Sequence, residues 1–427
     1  MKIMEGFEKA KKLLDRQAPK DPKYKQEAAV RQIINDVRQH GDKALFELTE
    51  KFDGAKLTTL EVKPAQIKAA YQKVDAKLVD ALKLAAERIG AFHRVQKERA
   101  LPTYTQGKTG WVVRPLERVG VYAPGGTASY PSTVLMTAIP AKVAGVKEAI
   151  LATPPGKDGK ISPAILVAAD IASVSRVFSM GGAQAIAALA FGTESVPRVD
   201  KICGPGNIYV FLAKKLVYGV AGIDGLQGPS EVVVIADESA NPDYCASDLL
   251  AQAEHGGLSS AIMITDSRAL ADKVNQAIDG QLKKLSRRKI IEESLTNNGM
   301  VVIVKNMAEA VELTNLYAPE HVLLLTKKST VYEKQIANAG CIILGKQATV
   351  AMSDYVSGPS HTLPTEGTAR FSSPLNVLDF VKITNISGVD DALIEAVGEA
   401  AVTIARAEGL DAHAQAIELR MKNARKK

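Results

Sequence analysis

The sequence predicts an α/β protein made of two doubly wound, incomplete Rossmann-like domains with mainly parallel sheets, plus a small N-terminal helical segment and a C-terminal arm. Three observations carry this. A chain of 427 residues exceeds what one small core organises. From Gly110 to Glu238, short apolar strands alternate with amphipathic helices. After Asp243 the same alternation begins again. Strands joined by helices imply right-handed crossovers and sheets covered on both faces.

The first hundred residues read as helices, with a break expected at Gly41 in "AAVRQIINDVRQHGDKALFELTEKFDG". A β pattern starts at "GWVVRPLERVGVYAP". The helix "PSTVLMTAIPAKVAG" leads to the strand "EAILATPP", then come "SPAILVAADIAS", "RVFSM", "GGAQAIAALAFG", "KICGP", "NIYVFLAKKLVYG" and the strand "EVVVIADE". In the second series, "DYCASDLLAQAEHG" is helical, "SAIMITD" a strand, "ALADKVNQAIDGQLKKL" a helix and "MVVIVK" a strand. The helix "MAEAVELTNLY" follows, with "VLLLT" and "CIILG" as further strands. The segment Ala348 to Pro374 lacks periodicity and is rich in Gly, Pro, Ser and Thr; so long a loop in a compact protein is usually functional. A helical stretch from "DALIEAVGEAAV" to "ELRMKN" follows it.

Composition narrows the function classes. Hydrophobic residues make up 46% and charged residues 24%, which is ordinary for a soluble globular protein. No apolar run approaches a membrane span, and "MKIMEGFEKAKKLLDRQ" lacks the apolar centre of a signal peptide. The cysteines, Cys203, Cys245 and Cys341, are few and widely spaced, which argues against a disulfide framework or a CxxC zinc site and fits a reducing cytoplasm. The net charge of +7 gathers in "KAKKLLDRQAPKDPKYK", "KKLSRRK" and "KNARKK", without stacking aromatics or a helix-turn-helix signature. Solvated surface is therefore the reading for these runs, not nucleic-acid or membrane binding.

Six histidines remain to be placed. His40 and His93 keep the company of Arg, Lys and Gln on helices and read as surface residues. In "NLYAPEHVLLL", Glu320 and His321 pair a carboxylate with an imidazole in the turn that feeds an apolar strand. Pro319 alone could account for a polar turn there, but strand ends are also where scaffolds hold catalytic groups. In "QAEHGG", Gln252 and His255 fall on one helix face before a Gly-Gly stop. Asp354 and His361 share the long loop, and His413 follows Glu408 in "EGLDAH". Gln252, His255, Asp354 and a further histidine make a chemically sensible zinc set, although HExxH is absent.

Nucleotide motifs are of the unusual kind. No GxGxxG follows a strand, and "GCIILGKQ" mimics a P-loop only superficially, with strand formers at its centre and Gln347 where Ser or Thr belongs. The turns "MGGAQAIAALA" and "CGPGN" end strands and open helices, where backbone N–H groups can meet a phosphate. "YAPGGTASYP" and "LQGPSEVVVIAD" add two Gly-Pro loops at strand ends, so that together these turns line one side of a crevice.

Taken in order, "VGVYAPGGTASYPSTVLMTAIPAKVAG", "GGAQAIAALAFGTESVPRVDKICGPGN", "GPSEVVVIAD", "DLLAQAEHG", "YAPEH", "SDYVSGPSHTLPTEGTARFSSPL" and "EGLDAHAQAI" resemble the zinc-dependent, NAD-linked histidinol dehydrogenases over nearly the whole chain. The resemblance implies a four-electron oxidation of L-histidinol through L-histidinal to L-histidine, the last steps of histidine biosynthesis, with two NAD⁺ reduced in turn. It implies one zinc ion per subunit on Gln252, His255, Asp354 and His413, the last coming from the other chain of a homodimer. Substrate contacts carry over to Ser230, Gln252, His255, His321, Asp354, Glu408, His413 and His361, and NAD contacts to Tyr122, Gln184 and Asn207. His321 is then the expected general base, and Glu320 the group that activates water for aldehyde oxidation. The implied division places 1–24 as an N-terminal helical segment, 25–125 with 231–365 as the α/β domain carrying zinc and catalytic residues, 126–230 as the domain with nucleotide-binding turns, and 366–427 as the arm in dimer contact.

Two departures from the family pattern stand out. Gln227 replaces the usual Ala before "GPSE", and "APEHVLLL" replaces "APEHLEL", which puts Leu323 where the family has Glu. Nothing visible activates Cys203 for covalent catalysis. The rival readings are a zinc/NAD dehydrogenase of another amino alcohol and a zinc hydrolase using the same ligands.

Overall fold

The computed structural model describes residues 1–16, 25–100, 102–106, 108–125, 129–345 and 347–424. Residues 17–24, 126–128, 346 and 425–427, which include parts of the basic runs, of "YAPGGTASYP" and of "GCIILGKQ", lie outside them. The described chain divides into two compact units, Met1–Lys97 with Pro115–Phe380, and Glu98–Arg114 with Val381–Lys427.

Two parallel sheets organise the first unit. One contains β4 (Arg118–Tyr122), β5 (Glu148–Thr153), β6 (Arg176–Ser179), β7 (Lys201–Cys203) and β8 (Gly222–Ile223), in the order β6-β5-β4-β7-β8. The other contains β1 (Lys2–Glu5), β9 (Glu231–Ala236), β10 (Ser260–Thr265), β11 (Gly299–Ile303), β12 (His321–Leu325) and β13 (Cys341–Leu344), in the order β1-β11-β10-β9-β12-β13. Setting β1 aside, both sheets run third-second-first-fourth-fifth strand, the doubly wound order.

Strand periodicity explains how each sheet is covered. In β9, Val232 and Val234 enter one core with Leu249 and Ala271, whereas Val233 and Ile235 enter another with Ala10 and Leu313. A strand buried on both faces must be apolar throughout, as "EVVVIA" nearly is. The other sheet is sandwiched likewise, with Ile33, Val37 and Leu45 against Ile186 and Leu189 on one side, and Val79, Leu82 and Ile89 with Val121 and Leu151 on the other.

The division expected from sequence needs correcting. Residues 25–97 and 115–125 pack with 126–230 rather than with 231–365, because β4 is the central strand of the five-stranded sheet and the helices Glu27–Asp53 and Ala76–Ala100 supply its two covers, whereas Glu98–Arg114 belongs to the second unit. The first residues are not simply helical either: β1 joins the edge of the six-stranded sheet beside β11, before the helix Phe7–Leu14. The boundary expected at 366 falls at Val381, since Leu375, Val377 and Phe380 remain buried in the first unit. His40 is exposed as expected, but His93 is fully buried, its Nδ1 2.9 Å from the Ile89 carbonyl oxygen, so the polar neighbours in sequence misled.

The second unit holds β2 (Tyr104–Gln106), β3 (Thr109–Pro115, its last residue in the first unit) and β14 (Val381–Ser387) in the order β14-β3-β2, with β2 and β3 antiparallel. The helical stretch read as continuous is two helices, Asp391–Ala407 and Asp411–Ala424, separated at Gly409 with φ +74°. Asp390 caps the first through the Leu393 N–H, and Val402, Ala405, Ala414 and Met421 are buried between the two.

Gly41 breaks its helix as expected, at φ 53° and ψ −131°, a region essentially closed to residues with a Cβ. Asp42 then donates its N–H to Glu194 at 2.7 Å, tying the helix to the loop that leads into β7. Gly41→Ala is expected to lower stability by about 1–3 kcal/mol, read as a shifted denaturant midpoint at constant slope. An unshifted midpoint would show that the helix can run through this position.

Candidate active site

The turn into β12 is built by close backbone approach. The helix Met307–Tyr317 ends at Ala318, which takes a left-handed conformation (φ 50°) and donates to the Thr314 carbonyl. Pro319 and Glu320 then lie against the strand β13, where Gly340 and Cys341 donate their N–H groups to the Pro319 and Glu320 carbonyls at 3.0 and 2.8 Å. A Cβ on Gly340 would stand 2.6 Å from the Glu320 oxygen, so the contact requires glycine. This turns the Glu320 side chain inward, 6% exposed, and its Oε2 accepts the N–H of Glu231, the first residue of β9, at 2.8 Å.

His321 is buried between two carboxylates. Its Nδ1 is 3.7 Å from Glu320 Oε2 and its Nε2 is 3.3 Å from Asp354 Oδ1. Burial by itself pulls the imidazole pKa down, but Glu320 and Asp354 outweigh it and hold the ring well above its usual range. Neither contact is aligned as a hydrogen bond: both ring nitrogens, Asp354 Oδ1 and the buried Gln252 Nε2 have no hydrogen-bond partner among the described residues. Buried polar atoms are almost always satisfied, so several orphans in one place point to a missing ligand or ion.

Asp354 sits not in a loop, as the sequence suggested, but on a short helix, Val350–Tyr355. That helix is anchored by buried Asp248, whose Oδ1 accepts the Thr349 hydroxyl at 2.7 Å and the Val350 N–H at 2.8 Å. Gln252 lies one turn beyond Asp248 on the helix Pro242–Ala253 and is therefore on the same face. The helix stops at Ala253, so His255 occupies the exposed turn after it rather than sharing a helix face with Gln252. Burial pushes the Asp354 carboxyl up, but the imidazoles of His321, His361 and His255 hold it below the usual carboxylate range. His361 donates from Nδ1 to the Asp354 carbonyl oxygen at 2.9 Å, and its Nε2 lies 3.1 Å from the Thr133 hydroxyl; burial lowers its pKa and keeps it neutral. Ser230 precedes Glu231 at the same end of β9.

The cofactor candidates gather in the five-stranded sheet. Tyr122 is the last residue of β4, Gln184 is in the first turn of the helix Gly182–Phe191, and Asn207 caps the helix Ile208–Val217 by accepting from the Tyr209 and Val210 N–H groups. All three line one cleft of about 1530 Å³, together with Asp53, Pro154 and Tyr209. The cleft opens at the carboxyl ends of β4, β5 and β6, the end of the sheet at which doubly wound folds bind ligands. Tyr122 accepts the Gly182 N–H at 3.0 Å, and burial pushes its phenol up to about 12. Pro154 crowds the Gly-Gly turn: a Cβ on Gly181 would stand 2.5 Å from its Cβ.

Glu408 and His413 lie in the second unit, both exposed, at the end of one helix and in the first turn of the next. The first unit by itself therefore assembles Ser230, Gln252, His255, Glu320, His321, Asp354 and His361. Among the described residues no group of three His, Cys, Asp or Glu side chains is placed to hold a metal. Cys203 is fully buried, and burial first, then Asp224, raises its thiol well above the ordinary range, so a thiolate nucleophile is unavailable. Sequence reasoning missed Thr133, Asp248 and Asp53. The first two act only through contacts distant in sequence, and Asp53 looks like any acidic helix end.

The sequence model of the histidinol dehydrogenase family matches residues 16–421. The histidinol dehydrogenase of Dehalococcoides mccartyi strain CBDB1 is 55% identical over 441 aligned residues, covering 99% of this chain and 100% of that protein. The histidinol dehydrogenase of Clostridium acetobutylicum is 49% identical, with 92% of each chain covered. The crystal structure of histidinol dehydrogenase from Elizabethkingia anophelis aligns with a TM-score of 0.93 at 37% identity, over 99% of this chain and 98% of that one. The chain belongs to the histidinol dehydrogenase family.

Proposed function

We propose that Glu320 and His321 move the protons of a two-stage oxidation, and that Gln252, His255 and Asp354, completed by His413 of a second copy, hold a zinc ion that fixes the substrate. Membership of the family makes the chain an NAD-dependent dehydrogenase that oxidises histidinol to histidine in histidine biosynthesis. The observation that carries the site assignment is the set of orphaned polar atoms on Gln252, His321 and Asp354. Oxygen and imidazole donors of this kind suit zinc, and the unpartnered Asp354 Oδ1 in a buried place suits a metal ligand. When bound, zinc supplies a fixed attachment for the imidazole and amino nitrogens of histidinol and so orients the reacting carbon.

In the first oxidation the alcohol carbon loses hydride to nicotinamide while its hydroxyl proton passes to His321. The imidazole, set between Glu320 and Asp354, is placed to hold that proton. In the second oxidation Glu320, fixed by the Glu231 N–H, takes a proton from water as it adds to the aldehyde, and the hydrate loses hydride to a second NAD⁺. The balance is one alcohol, two NAD⁺ and one water giving one carboxylate, two NADH and three protons. Ser230 and His361 line the substrate side, Glu408 joins His413 from the second copy, and Tyr122, Gln184 and Asn207 receive the cofactor.

A homodimer is supported by the second unit's own surface. Its buried core is small, whereas Ile383, Val397 and Ile404 are 53%, 49% and 60% exposed. Among the described residues no helix is long and apolar enough to cross a membrane. The buried, free Cys203 and Cys245 support the proposed residence in a reducing cytoplasm.

Turnover of histidinol should yield two NADH per histidine; a ratio of one would remove the second stage. Glu320→Gln is expected to slow histidinal oxidation by about 10²-fold or more and histidinol oxidation far less, measured with each compound separately. Equal losses would remove the water-activating role. His413→Asn should lower bound zinc, and mixing it with His321→Asn should regain activity in mixed dimers, each with one intact site. Verified mixed dimers without activity would show that His413 serves its own chain.

A further inference from the structure

Lys214 lies on the helix Ile208–Val217 that opens from the cofactor turn, and it is only 1% exposed. Its ammonium uses three donors: 3.0 Å to the Gly204 carbonyl, 2.5 Å to Asp224 Oδ1 and 2.7 Å to Gln227 Oε1. The other Asp224 oxygen accepts the Gly204 N–H at 2.8 Å. Both backbone polar groups of Gly204 are thus held by one fully buried ion pair.

Gly204 has reason to be clamped. It has φ +117°, and a Cβ there would stand 2.1 Å from the Tyr122 carbonyl oxygen, so the turn Gly204–Asn207 is pressed against the end of β4. The third arm, Gln227, lies three residues before Ser230 in a segment pinned again where the Gly228 N–H donates to the Thr365 hydroxyl at 2.6 Å. A buried ion pair adds little net stability, because desolvation consumes most of the attraction. Geometry is the better explanation for its presence.

We propose that Lys214 and Asp224 are positioning residues for the cofactor, holding the Gly204–Asn207 turn against Tyr122 so that Asn207 and the helix behind it meet NAD in a fixed orientation. This rests on the assignment of Tyr122, Gln184 and Asn207 to the cofactor. The Lys214→Met/Asp224→Asn double variant tests it, since it leaves no uncompensated buried charge and keeps an acceptor for the Gly204 N–H. NADH affinity is read by fluorescence titration, KM for NAD⁺ and histidinol by steady-state rates, and folding by the thermal midpoint, with Gln184→Ala run in parallel. Weakening of NADH and NAD⁺ by about tenfold or more, with the KM for histidinol within about twofold and a cooperative unfolding transition, supports the clamp. Unchanged NAD⁺ affinity overturns it, as does a parallel rise of both KM values or a failure to fold, which would make the pair purely structural. If Gln184→Ala also leaves NAD⁺ binding unchanged, the cofactor assignment itself fails and the clamp falls with it. If Gln184→Ala weakens NAD⁺ and the double variant does not, only the clamp is wrong.

Discussion

A histidine buried between two carboxylates is the constraint from which the rest of the site follows. Glu320, His321 and Asp354 stand in a row with little water to solvate them, and the ring nitrogens face carboxylate oxygens at 3.7 and 3.3 Å without forming aligned hydrogen bonds. Such a row is unfavourable unless something else engages at least one member. One end is fixed: Glu320 is held by a backbone N–H of the neighbouring strand. The other end, Asp354, rides on a helix of six residues whose start is held by Asp248. The scaffold therefore fixes the positions of the groups and leaves their valences open, as a binding site for a cation and a polar substrate requires.

The two sheets use their ends differently. In the five-stranded sheet the cleft lies at the carboxyl ends of β4, β5 and β6, in keeping with the rule for doubly wound folds. In the six-stranded sheet Ser230 and His321 sit at the amino ends of β9 and β12 instead. There the helix N-termini that usually receive ligands are on the far side, and the chemistry falls to side chains in the turns entering the strands. Glu231 shows how closely these turns are knit. Its N–H holds Glu320, and its own carboxyl, pushed up to about 7 by burial against the pull of Arg16, accepts from Arg16 at 2.6 Å and from the Glu366 N–H at 3.2 Å. The ring of Tyr317 stacks on the same guanidinium.

Much of this was legible in the residues. Fully apolar strands such as "EVVVIA" and "HVLLL" announce a sheet buried on both sides, and Gly41 announces a break in its helix because few conformations there accept a side chain. The strand-end glycines were legible for the same reason: Gly181 and Gly204 sit where backbone and proline leave no room for a Cβ. What sequence could not give is pairing at long range. Nothing near β1 says that it joins β11 nearly three hundred residues on, and nothing in "GWVVRPLERVGVY" says that β3 and β4 serve different units. Nor does periodicity reveal that a residue among Arg and Gln, such as His93, faces the core. Asp354 was visible as a site residue only through the motif around it, since a six-residue helix held by a distant aspartate leaves no periodic trace.

The assembly of a cation site from Gln252, His255 and Asp354 beside His321 is the claim on which the account turns. Anomalous diffraction at the zinc edge, from crystals of the protein grown with the metal, tests it most directly. The account predicts a single strong peak per chain within bonding distance of Gln252, His255 and Asp354, with a histidine from a second chain completing the set. A peak elsewhere, or none from protein that is fully active, would contradict it.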